Sequence, residues 1–245
     1  MPNSLHDKLY EIAKSELRAA KILTKNGSYP QAIYFYAQAF EKATKSVVAL
    51  YLIKHKGRSE SKASEELWRT YGHKLMDLTV TIANILTERD NLYVSRGGNE
   101  SDPLIQILNE AIGKIKAHRK DKTDLIAYYE SDVRVIYQRF YLRLKENAPI
   151  QNGEHFGWDF LRKRYADPKT KYGKIGTLTQ ILFFLLEGMD VYTRYPLQDV
   201  NYNNVAFLSR SEIHSACLGL EEMIEELISL VPLVWEKIRT MSPFS

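Results

Sequence analysis

The chain has 245 residues with 34 basic and 30 acidic side chains, a formal net charge of +4, and 44% hydrophobic against 26% charged residues. That balance belongs to a globular protein able to bury a core. The 12 glycines and 8 prolines exclude a collagen-like or low-complexity chain and speak against a turn-rich all-β fold. A single cysteine, Cys217, rules out an intramolecular disulfide framework and a cysteine-based zinc knuckle, and fits a reducing compartment. Met1 to Tyr10 lacks an apolar core, and apolar runs such as Ile181 to Leu186 fall far short of a bilayer span, so the expected location is cytoplasmic.

Ser4 followed by Asp7 reads as a helix N-cap with its acceptor three residues on. Leu5, Leu9, Ile12, Ala13, Ala20 and Leu23 then recur at helical spacing until Asn26-Gly27. Ser28-Tyr29-Pro30-Gln31 restarts a helix that runs to about His55, before Gly57. Its apolar residues occupy more than one face, which predicts burial against several neighbours. Residues 58 to 65 are polar and charged. Leu67, Trp68, Leu75, Leu78, Ile82, Ile85 and Leu86 then suggest one helix, or two short ones broken near Gly72.

Residues 89 to 102 read as a loop, Asp102-Pro103 as the start of another helix, and Thr123 to about Lys145 as a further one. The stretch from 146 to 175 is the least regular. Helical pattern resumes from Thr177 to Tyr192, ahead of Pro196. Ser209-Arg210-Ser211-Glu212 caps a last helix carrying Ile213, Ala216, Leu220, Met223, Ile224, Leu227 and Leu230, with Pro232 set to kink or end it. No segment alternates strictly. The predicted fold is all-α: an antiparallel bundle of six to eight helices in a single domain, its framework at 4–86 and 178–238 and an inserted helical or loop segment at 87–177.

Charge is unevenly spread. Residues 1–80 carry an excess of five positive charges and 81–180 an excess of four, whereas 181–245 carry an excess of five negative ones. A basic front two-thirds permits an anionic partner but is equally ordinary for solubility. Within the second helix Gln38, Glu41 and Lys45 fall at i, i+3 and i+7, a polar stripe on a largely apolar helix. Because unpaired buried charge is costly, Glu41 and Lys45 should pair with each other, face a partner or cleft, or lie on a solvated edge.

Arg162, Lys163 and Arg164, interleaved with Trp158, Phe160 and Tyr165, have the composition of a surface that grips phosphates and stacks on bases, and equally that of a solvated loop anchored by aromatics. The six histidines are dispersed without zinc-site spacing, so no metal and no cofactor is expected. Gly173-Lys174 lacks the first glycine and the hydroxyl residue of a phosphate loop.

Tyr34 to Lys45, with Gly27-Ser28-Tyr29-Pro30-Gln31-Ala32 before it, resembles the signature of the HEPN family, helical domains named for nucleotide binding in higher eukaryotes and prokaryotes. Gly72-His73-Lys74-Leu75 is similar to the glycine-histidine before that family's third helix, and Tyr192-Thr193-Arg194-Tyr195-Pro196 to the element before its last. The resemblance implies an antiparallel helical bundle, often a homodimer, from a prokaryotic defence or toxin-antitoxin module. It implies RNA or nucleotide as ligand and either metal-independent ribonuclease activity or a non-catalytic role beside a nucleotidyltransferase.

In nuclease members an arginine and a histidine with four to six residues between them act on the RNA backbone. Here Arg69-His73 and Arg210-His214 have three intervening residues, one fewer than that pattern. Arg210 and His214, at i and i+4 on one helix face, are the candidate catalytic pair: a guanidinium to hold a phosphate and an imidazole to move the 2′-hydroxyl proton. The alternative places Arg210 beside the N-cap and His214 as an ordinary surface or core histidine. Arg194 and Tyr195 could line an anionic cleft or fix a loop. With Gln38, Glu41, Lys45 and the 162–164 cluster they are the candidate RNA- or nucleotide-binding residues. The apolar girth of the second helix and the acidic run Glu221, Glu222, Glu225, Glu226 favour a homodimer.

Overall fold

A computed structural model describes residues 4–72, 75–87, 171–186 and 210–241. They form α1 (Leu5–Lys25), α2 (Tyr29–Lys54), α3 (Glu60–Glu66), a π-helical turn (Leu67–Tyr71), α4 (Leu75–Thr87), α5 (Lys171–Leu186) and α6 (Arg210–Thr240), with no strand among the described residues. No helix among them is long and apolar enough to cross a membrane. The predicted loop at 89–102, the helices from Pro103 and Thr123, the cluster Arg162, Lys163, Arg164, and Arg194 and Tyr195 lie outside the described residues.

Local chemistry sets the helix ends. The Asp7 carboxylate accepts from the Ser4 backbone N–H at 3.2 Å and the Ser4 hydroxyl at 2.7 Å, which ties down the start of α1. At its other end Ser28 N–H reaches Leu23 O at 2.9 Å and Gly27 N–H reaches Thr24 O at 3.0 Å, the paired closure of a Schellman turn. Gly27 supplies the required φ of 73°. Tyr29 and Pro30 then open α2 with a turn that needs no proline N–H.

α2 is the central post. Its exposed-in-isolation apolar girth is covered within one chain: α1 lies along it, α6 packs on both α1 and α2, α4 packs on α2 and α5, and α5 packs on α6. Tyr36, Phe40 and Leu50 of α2 meet Leu78, Ile82 and Ile85 of α4 and Ile175 and Leu178 of α5 in one core of fully buried side chains. The early and late helices therefore complete one another. Tyr10 reaches Ile228, Lys21 reaches Glu221 and Glu225, and His55 reaches Ile238.

Two boundaries differ from the pattern in the sequence, and the break near Gly72 agrees with it. The polar stretch after Gly57 already contains α3, started by Ser59, whose hydroxyl accepts from Lys62 N–H at 3.3 Å. It was hidden because the helix buries only Ala63. The break near Gly72 is real: a π-helical turn closed by Gly72 N–H to Leu67 O at 3.0 Å leads into a glycine with φ of 45°. α5 begins at Lys171, six residues before the start that the apolar pattern marks. Tyr172-Gly173 has the composition of a turn, yet both residues lie inside the helix, which packs on α4.

α6 continues through Pro232 to Thr240. Proline removes the N–H that the carbonyl of Ile228, four residues back, would have used. The Tyr10 hydroxyl of α1 donates to that carbonyl at 3.2 Å. At the C-terminal end of α6, His55 Nε2 lies 2.7 Å from Ile238 O, one of the carbonyls a helix end leaves without an internal donor.

Candidate functional site

The polar stripe of α2 is folded inward. Glu41 is 2% exposed, Lys45 4% and Gln38 6%, so the solvated-edge reading is overturned and the pairing expectation holds. Glu41 Oε1 accepts from Lys45 Nζ at 2.8 Å and from Lys42 Nζ at 2.9 Å. Lys42 also donates to Gln38 Oε1 at 3.4 Å, while Gln38 Nε2 is buried with no hydrogen-bond partner among the described residues. Burial opposes ionisation of Glu41, but Lys42 and Lys45 outweigh it and hold the carboxyl at about 2. Lys45 is pushed below the usual lysine range, because burial disfavours its ammonium and the carboxylate it faces is shared with Lys42. Beyond this cluster the π-helical turn sets Trp68 with Lys45 Nζ 5.3 Å from its ring centroid, the indole remaining 67% exposed.

A second polar seam runs between α1, α2 and α6. His214, Cys217, Glu221 and Glu225 recur along one side of α6, and the helical register of Arg210 and His214 puts both in its first two turns on the same face. His214 is half-buried. Its Nδ1 lies 3.4 Å from the hydroxyl of Tyr29, and the two rings meet edge-on with centroids 5.8 Å apart.

Farther along, the Tyr36 hydroxyl donates to Glu221 Oε2 at 3.3 Å and sits 3.1 Å from Thr24 Oγ1. Lys21 closes the seam at the surface, 3.3 Å from Glu221 Oε1 and 2.9 Å from Glu225 Oε2. Burial, reinforced by Glu221, drives the Tyr36 hydroxyl well above the ordinary tyrosine range. Burial likewise pushes the Cys217 thiol up to about 12, an inert group rather than a nucleophile.

These contacts bear on the two reasons for expecting self-association. The apolar girth of α2 is met inside the chain, and the acidic run of α6 pairs with Lys21 and, through Glu226 at about 2.6 Å, with Lys174 of α5. In the sequence Tyr29 opens a helix and belongs to the segment that resembles the family signature, but nothing there points to His214. Only the closed turn before it and the packing of α6 bring it to His214.

Two regions thus carry candidate residues: the buried charge cluster on α2, and the Tyr29–His214 contact where α2 begins and α6 starts. The first lies on α2 and the π-helical turn, both early in the chain. Residues 6–96 match the family model of the HEPN domain. This HEPN segment takes in nearly all of α1 and the whole of α2, α3, the π-helical turn and α4, and it contains Gln38, Glu41 and Lys45. The HEPN family is all-helical and of nucleotide- or RNA-directed type. Arg210 and His214 lie outside the matched residues, on the helix that packs against the HEPN segment. No curated protein and no solved structure matches the chain.

Proposed function

We propose that this HEPN-domain protein binds RNA in a prokaryotic defence or toxin-antitoxin setting and cleaves it without a metal, with Arg210 and His214 as the acting pair. The observation that carries the proposal is His214 itself, a half-buried imidazole near the start of α6, one helical turn from Arg210 and held against Tyr29 at the mouth of the HEPN segment's second helix. In this reading the Arg210 guanidinium holds a phosphate and His214 takes the proton of the adjacent 2′-hydroxyl. The 2′-oxygen attacks phosphorus, the 5′-oxygen leaves and takes up a proton, and a 2′,3′-cyclic phosphate remains.

Incubation of the purified chain with end-labelled single-stranded RNA in EDTA tests it. The expected result is cleavage that falls about 10²- to 10⁴-fold in His214→Ala and in Arg210→Ala. No cleavage by the unmodified chain, or equal cleavage by His214→Ala, rejects the pair.

The three-residue spacing between Arg210 and His214 favours a second reading, a non-catalytic helical module that partners a nucleotidyltransferase or another protein. Stable capture of such a partner, with neither cleavage nor salt-dependent binding of RNA, supports this reading over the first.

A further inference from the structure

The contact between Tyr29 and His214 joins residues 185 positions apart, and both ends are held. Tyr29 is the first residue of α2, fixed between the Schellman closure at Gly27 and the proline at 30. His214 sits on α6, which is packed on α1 and α2 over its length. The tyrosine hydroxyl addresses Nδ1, and Nε2 has no hydrogen-bond partner among the described residues.

We propose that Tyr29 is a positioning residue that holds His214 in the Nδ1–H tautomer, with the Nε2 lone pair turned toward the RNA; this rests on the proposed ribonuclease reading. The chemistry favours a hydroxyl for the task. Nδ1–H donates to Tyr29 Oη both before and after Nε2 takes a proton, so the imidazole need not turn during the transfer. A carboxylate at the same place would favour the imidazolium and leave less of the neutral imidazole to take a proton. Tyr29 acts through His214 and does not touch the reacting atoms.

Tyr29→Phe keeps the ring that packs edge-on against the imidazole and removes only the hydroxyl. In ¹⁵N-labelled protein, the unmodified chain at a pH where His214 is neutral should show the Nδ1–H signature for this residue. Tyr29→Phe should shift it toward the Nε2–H form that an unconstrained histidine prefers, while the other five histidines keep their signals and report an intact fold. Identical tautomer signals in the two proteins would overturn the proposal, as would a dominant Nε2–H form in the unmodified chain.

RNA cleavage gives the separate reading. A roughly 10- to 100-fold lower kcat with an unchanged KM in Tyr29→Phe supports positioning for chemistry. Absence of cleavage in the unmodified chain with the tautomer shift intact would sink the ribonuclease reading and leave the hold on His214 standing. Cleavage indifferent to Tyr29→Phe, with unchanged ¹⁵N signals, would do the reverse.

Discussion

Two ammonium groups share the carboxylate of Glu41 in a place water scarcely reaches, and that arrangement decides how the residue responds to change. Glu41→Gln leaves buried positive charge uncompensated and should cost about 3–5 kcal/mol in urea unfolding. A paired Glu41→Leu, Lys45→Met replacement should cost much less, since Lys42, the most exposed of the three, is free to turn outward. The sign of the pH dependence follows from the same geometry. The folded carboxyl titrates near 2 against an ordinary 4.5, so between those values the unfolded chain binds more protons. The stabilisation is full above about pH 4.5 and is lost as pH falls toward 2, about 3 kcal/mol in all. Unfolding titrations at pH 5 and pH 3 should show a little over half of this loss in the unmodified chain and a flatter response in Glu41→Gln. The pair was legible from its i, i+4 spacing, which any helix imposes. Its burial and the third partner, Lys42, were not, because they depend on what packs over α2.

At the scale of elements, α6 passes a proline without ending because a neighbouring helix supplies the donor that proline lacks. Tyr10→Phe removes the hydrogen bond to Ile228 O and should destabilise the chain by about 1–2 kcal/mol. Pro232→Ala restores a backbone N–H for the same carbonyl, so Tyr10→Phe should cost measurably less in that background; equal costs would show that the hydroxyl does not serve this carbonyl. The start of α1 was readable from Ser4 and Asp7, which hydrogen-bond to each other, and that of α2 from Ser28-Tyr29-Pro30. α3 and the first turns of α5 were not readable, since one offers a single buried residue and the other opens with a glycine that reads as a turn residue. Of the candidate site, Arg210 and His214 were legible through their spacing. The contact of Tyr29 with His214 was not, because nothing local distinguishes a tyrosine facing a distant histidine from one facing solvent.

For the molecule as a whole, the two sequence features that argued for a dimer are satisfied inside the chain, so a homodimer must draw on other surface. Ile12 and Ile22 on α1, Trp68 on the π-helical turn and Leu218 on α6 are the large apolar side chains left exposed among the described residues. If a pair forms through them, light scattering at micromolar concentration gives twice the 28.4 kDa chain mass, and Ile22→Lys, at 60% exposure, halves it without loss of helicity. A particle of single-chain mass in the unmodified protein removes the dimer. The all-α class was legible from helical periodicity throughout. The pairing of the first helices with the last was implied only by resemblance, because no local pattern encodes a contact across two hundred residues.

The HEPN match stops at residue 96, yet the core built around α2 draws Ile175, Leu178, Ile224 and Leu227 from well beyond it. The boundary of recognisable ancestry is therefore not a boundary of cooperative folding. A truncated gene product ending there would present bare hydrocarbon along its longest helix and should precipitate or recruit chaperones, whereas adding the distal helices back, even as a separate polypeptide, should restore solubility.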